Sequence, residues 1–260
     1  MGRITVKHYI AKNVNPFKSL SDNNVEKLMY PVYVQIIYNK FSTNKRSKTL
    51  INATLDGFNK YLKNGRIDKN EFDTTLSGGY TLPDEINDIT NSIKIINDRK
   101  IDISRKQIIK LIDIFSNNIV SCLTFIARAD FEVNSVVSEL NNEDNSKEYN
   151  NFILAFDGKS NLLKNIENIK KYTNIDLLPY VKQEDCNKWL AVEIIKKYFG
   201  FDISFSKFIH YNYKATLKEK MKNVSVGKFD TIINEIDNMI ELFIKYHSNY
   251  DKDFDENFLI

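Results

Sequence analysis

The residues of this chain best suited to chemistry are cations set among tyrosines and amides near its start. The stretch YPVYVQIIYNKFSTNKRSKT runs from Tyr30 to Thr49 and carries Tyr33, Gln35, Lys40, Lys45, Arg46 and Lys48. Lys7 precedes it in RITVKHYIA. Lysine and arginine neutralise phosphates, while tyrosine and glutamine reach base edges, so the grouping is of the kind that contacts a nucleic acid. Nine cations against two anions in residues 1–50 give that segment +7, so the rest of the chain carries −4 of the total of +3. A basic head on an acidic body points to a polyanionic partner. Solvated surface lysines are the plain alternative.

Other chemistries lack their residues. The three histidines, His8, His210 and His247, form no H-E-x-x-H, and no C-x-x-C is present, so zinc has no ligand set. NGRIDKNEF has Gly65 and Glu71 where a calcium loop would want them, but the first and third ligand positions fall on Lys60 and Leu62, which offer no oxygen. FDGKS at 156–160 lacks the first glycine of a phosphate loop. Neither G-x-G-x-x-G nor G-x-S-x-G occurs. The expectation is a protein that is not an enzyme, with no cofactor and no metal.

The elements that must position the cations are read from periodicity. Residues 3–11 and 30–39 alternate and predict strands, with Asn39–Lys40 as a tight turn and 41–50 as a returning third strand. Residues 12–29 read as irregular, with room for a short helix after Ser21. From about residue 52 the period becomes helical, and IDKNEFDTTL reads as a short helix. Pro83, Asp84 and Glu85 open a helix whose Ile86, Ile89, Ile93 and Ile96 share a face. Ser104 should cap a long helix reaching about Ala129, and further helices fit 147–157, 160–172, 185–199, 204–221 and 226–247. In the last, Phe229, Ile233, Ile236, Ile240 and Phe243 make a stripe that suits a core face or a homodimer seam along 229–247, core packing being the commoner use. The fold class expected is α+β, predominantly α: a small N-terminal antiparallel sheet followed by a multi-helix bundle. The domains expected are 1–78, basic and β-rich, and 79–260, helical, with a subdivision near the polar stretch 141–151.

A second candidate lies in LAVEIIKKYFGFDISFSKFIHYNYK, Leu190 to Lys214. A helix, a glycine turn at Gly200 and a second helix bearing Lys207, His210 and Lys214 have the outline of a helix-turn-helix. The same outline is also the ordinary connection of a helical bundle. No apolar run approaches the ~20 residues of a membrane span, and MGRITVKHYI has no signal-peptide core. Cys122 and Cys186 sit in apolar-periodic segments, which favours buried reduced thiols and a cytoplasmic setting.

ITVKHYIAKN followed by YPVYVQIIYNKFST resembles the N-terminal arm-type DNA-binding domain of phage-integrase-like tyrosine recombinases, over about the first 80 residues. The resemblance implies a three-stranded sheet with a helix, binding accessory DNA sites through the ribbon residues named above. The catalytic part of that family needs a His-x-x-Arg box. His8, His210 and His247 are followed at the third position by Ala11, Tyr213 and Tyr250, and no arginine lies beyond Arg128. Strand cleavage is therefore not expected. The reading is a non-enzymatic DNA-binding or regulatory protein of a mobile element. The rival is a helical interaction or scaffolding protein with no nucleic-acid role, and a remoter alternative is an enzyme whose site assembles from distant helices.

Overall fold

The structure is a computed structural model, and it describes residues 4–20, 26–39, 41–101, 105–131 and 182–248, with helical positions at 164, 167, 170 and 171. It is α+β and predominantly α. The chain divides into two compact units, Met1–Ser116 and Asn117–Ile260. Residues 51–116 hold ten residues of each sign, so the +7 of the first 50 residues is the charge of the whole first unit.

In the first unit the strands are β1 (Thr5–Ile10), β2 (Phe17–Leu20), β3 (Glu26–Tyr38), β4 (Phe41–Arg46), β5 (Asn52–Ala53) and β6 (Phe72–Asp73). The helices are α1 (Leu55–Asn64), α2 (Leu82–Asp98) and α3 (Arg105–Phe115). All strand pairs are antiparallel, and the 13-residue β3 is the spine. β1 and β4 pair with the same span of β3, so they flank it on either side. β2 continues the β1 side and β5 the β4 side, so two interrupted strands flank one long one. Residues 17–20 and 26–29 are therefore strand where irregular chain was expected; 21–25 lie outside the described residues.

Alternation decides the faces. Val32, Val34, Ile36 and Tyr38 are buried, while Tyr33, Gln35 and Ile37 on the other face are not. Val32 joins Ile51, Ala53, Phe58, Phe72 and Leu82 in one apolar cluster. Asn39, at φ 42°, turns β3 into β4 and leaves Tyr38 opposite Phe41, a two-residue hairpin as expected. The third strand ends at Arg46 rather than running to 50. Ser47 and Thr49 turn inward, both fully buried, and the chain rejoins β3 at β5.

The helix expected in IDKNEFDTTL is absent. Gly65 ends α1 in the left-handed conformation, and Phe72–Asp73 pair with β5 as strand, because Phe72 is drawn into the apolar cluster. Thr81 caps α2 with a reciprocal bond to Asp84, and Pro83 occupies its first turn. Ile89, Ile93 and Ile96 are buried as the stripe required, together with Glu85, Asp88 and Ser92. α2 packs against β1 and α3, which brings both helices into the unit of the sheet and past the boundary at 78.

The second unit contains α4 (Ile119–Phe131), α5 (Gln183–Phe199), α6 (Phe205–His210), α7 (Tyr213–Lys220) and α8 (Val226–Ser248). The single helix expected over 104–129 is two helices, α3 and α4, separated at Ser116–Asn118. Asn117 leaves the helical ladder to bond the 201–205 segment, Phe205 N donating to Asn117 O at 2.7 Å and Ile119 N to Ile203 O at 3.0 Å, while Asn118 caps α4 by accepting from Ser121 N at 3.1 Å. The cap at Ser104, the helices 147–157 and 160–172, and the break at 141–151 fall outside the described residues, apart from the helical positions given above. α8 packs on α4 and α5, burying Ile233, Ile236, Ile240 and Phe243. These four residues are spent within the unit, so the stripe serves as a core face, the commoner of the two uses expected of it.

Candidate nucleic-acid interface

The register of the sheet sorts the candidate residues. Residues directly opposite in antiparallel strands share a face. Tyr9, Tyr33 and Arg46 form one row across β1, β3 and β4; Lys7, Gln35 and Asn44 form the next; Thr5, Ile37 and Ser42 form the third. All nine lie on the face away from the buried Val34 and Ile36, and none of the nine is buried. Lys7, Tyr33, Gln35 and Arg46 are thus brought together. Sequence reasoning missed Tyr9 and Asn44, although the signal was present: a two-residue turn at 39–40 places Asn44 opposite Gln35.

The guanidinium of Arg46 stands 5.9 Å from the centroid of the Tyr33 ring, and Tyr9 and Tyr33 are tilted against each other at 6.0 Å. Nη2 of Arg46 donates to Asn52 Oδ1 at 2.6 Å, which fixes the fork in place. Burial pulls the Arg46 pKa down from its usual value, opposed by Tyr33, and the group keeps its charge. Burial, then the neighbouring Tyr33, raises the Tyr9 phenol above its usual value, so it stays a neutral donor and acceptor. Gln35 Nε2 reaches Ser42 Oγ at 3.4 Å. Lys7 is exposed and has no partner among the described residues.

Lys45 and Lys48 are not on this face. Lys45 stands opposite Val34, on the side of the core, and its ammonium pairs with Asp113 of α3. Lys48 donates to Ser116 O, just past the end of α3, at 3.2 Å. Burial lowers the Lys48 pKa; Asp113 opposes that and Lys45 adds to it. The period of two explains the split: 46 points one way, 45 the other, and the inward turn at Ser47 carries Lys48 toward α3. Lys40 lies outside the described residues.

Behind the sheet is a buried polar cluster. His8 Nε2 lies 2.8 Å from Glu85 Oε2. The other carboxylate oxygen accepts the Lys48 amide at 2.7 Å, and the Ser47 hydroxyl also donates to Glu85. Burial alone would raise the Glu85 pKa, but the bonds from His8, Ser47 and the Lys48 amide together hold it below the usual value. Serine, carboxylate and histidine here do not form a nucleophile. The serine donates to the carboxylate rather than to the imidazole, and all three are enclosed. The cluster joins β1, the β4–β5 turn and α2.

In the second unit the helix-turn-helix outline is altered. The helix expected over 204–221 is broken: Tyr211 is extended, and Asn212 caps a new helix by accepting from Ala215 N at 3.2 Å. Lys207 and His210 sit on the six-residue α6 and Lys214 on α7, where its ammonium bonds Asp237 of α8 at 2.6 Å. These three residues share no continuous recognition helix.

Among the described residues no group of three or more His, Cys, Asp or Glu side chains could hold a metal ion, and no helix is long and apolar enough to cross a membrane. Compared with family models, curated proteins and solved structures, the chain gives no significant match.

Proposed function

We propose that the first unit binds duplex DNA through the open face of its sheet, and that the protein acts by binding, as a DNA-binding regulatory protein of a mobile element, rather than by catalysis. One observation carries this reading: Lys7, Gln35, Asn44, Tyr9, Tyr33 and Arg46 occupy adjacent cross-strand rows on one unburied face. Lys7 and Arg46 would neutralise phosphates, and the amides and phenols would supply hydrogen bonds to backbone and base edges. The net +7 of the unit would draw the polyanion in and make binding fall with salt. The resemblance of the first 80 residues to an arm-type DNA-binding domain favours the same reading.

Hydrogen exchange of the full chain with and without a mixed-sequence duplex tests the location. Added protection in 5–10, 32–38 and 42–46 is the expected result. Protection confined to the helices would overturn the assignment to the sheet, and no added protection would overturn the reading and favour a helical protein-interaction role.

A further inference from the structure

A second surface lies where the ends of α5 and α7 meet, within the second unit. That unit is acidic overall, at −4, yet residues 196–222 hold seven lysines and only two acids, Asp202 and Glu219. Lys197 and Lys220 place their ammoniums 5.3 and 5.7 Å from the centroid of one ring, Tyr198. Lys220 also donates to Tyr198 O at 3.2 Å, which pins an ammonium of α7 against the end of α5. Lys196 lies 5.8 Å from the Phe201 ring and 3.6 Å from Glu193 Oε1, and Phe201 is 48% exposed.

The helix dipole accounts for lysines at the end of α5. It does not account for a large exposed ring beside them. Two ammoniums on one ring repel each other, and a polyanion relieves that repulsion. An exposed ring among cations suits unpaired bases, which stack on any aromatic face, with phosphates on the lysines. A duplex offers no free base face to Phe201. Ammoniums and rings address phosphates and base faces, which DNA supplies without the 2′-hydroxyl that marks RNA.

We infer that Lys196, Lys197, Lys220, Tyr198 and Phe201 form a contact for single-stranded DNA, separate from the sheet of the first unit and independent of its duplex reading. The test is fluorescence anisotropy of a labelled dT20 strand with the full chain carrying Lys7→Ala and Arg46→Ala, which disables the sheet face. Retained dT20 binding is expected there. Adding Lys197→Glu and Lys220→Glu should weaken it by more than tenfold. Phe201→Ala should weaken it by about five- to tenfold, from lost stacking, and Phe201→Leu, which keeps the apolar bulk, should not restore it. Circular dichroism confirms that each variant is folded. Equal dT20 affinity in all variants, loss of binding with the sheet variants alone, or tighter binding of rU20 than dT20 would overturn the assignment.

Discussion

Tyr33 and Arg46 stand directly opposite one another on β3 and β4, with the guanidinium 5.9 Å from the ring centroid. Asn52 accepts a hydrogen bond from the arginine and holds it. The pair places a fixed charge on a face that helix α2 does not cover. One residue earlier, Lys45 is carried to the opposite side and into a pair with Asp113. Two adjacent cations in one basic run therefore have different roles, set by strand alternation alone.

The first prediction concerns Lys45. Its partner Asp113 is half exposed, so the pair contributes under about 1 kcal/mol. Lys45→Ala should lower the urea midpoint slightly and leave duplex affinity within about threefold of wild type at fixed salt.

The second concerns the buried cluster. Glu85→Ala removes a partner of His8, Ser47 and the Lys48 amide; Ser47 keeps Thr49 Oγ1 at 2.7 Å, so the buried group stranded is His8 Nε2, at about 1–3 kcal/mol. The Glu85 pKa is held low in the folded chain, so its contribution is present above the usual glutamate range and is lost as pH falls through the folded value. Urea unfolding followed from neutral pH to about pH 3 should therefore show wild type losing stability on acidification. Glu85→Gln should start lower and lose less.

The third contrasts two glycines. A Cβ on Gly57 would lie 2.3 Å from the Glu71 Cβ, which is itself tethered by Lys27 at 3.0 Å. Gly57→Ala should cost about 1–3 kcal/mol through that overlap. Gly65 has open space but a φ of +69°, so Gly65→Ala should cost about 1 kcal/mol through backbone strain. Urea denaturation of both variants checks the order.

The fourth concerns α8. Ile236 is fully buried, and Ile236→Ala should cost about 2–5 kcal/mol. The loss should be the same at every protein concentration, because the stripe is an intrachain core. A loss that varied with concentration would mark a subunit seam.

Much of the architecture was legible because it rests on local patterns. The alternation of Val32, Val34 and Ile36, the turn at Asn39 and the four-three steps of α8 each gave the right element. What was hidden depended on tertiary partners. Phe72 became strand because the apolar cluster took its ring. Ser47 and Thr49 ended β4 because Glu85, 38 residues beyond Ser47, waited inside. The helix broke at Asn117 because the 201–205 backbone exchanges bonds with Asn117 and Ile119. Of the candidate site, Tyr33, Gln35 and Arg46 could be grouped from the hairpin, whereas Lys45 and Lys48 were misgrouped by counting charge without face.

The most direct measurement is the salt dependence of binding to a mixed-sequence duplex, compared among wild type, Lys7→Ala/Arg46→Ala and Lys45→Ala/Lys48→Ala. Each phosphate contact removed should lower the slope of log affinity against log salt by about 1. The account predicts a loss of about 2 for the Lys7/Arg46 pair and an unchanged slope for the Lys45/Lys48 pair. The reverse pattern, or no binding at about 50 mM salt, where nonspecific contacts are strong, would contradict it.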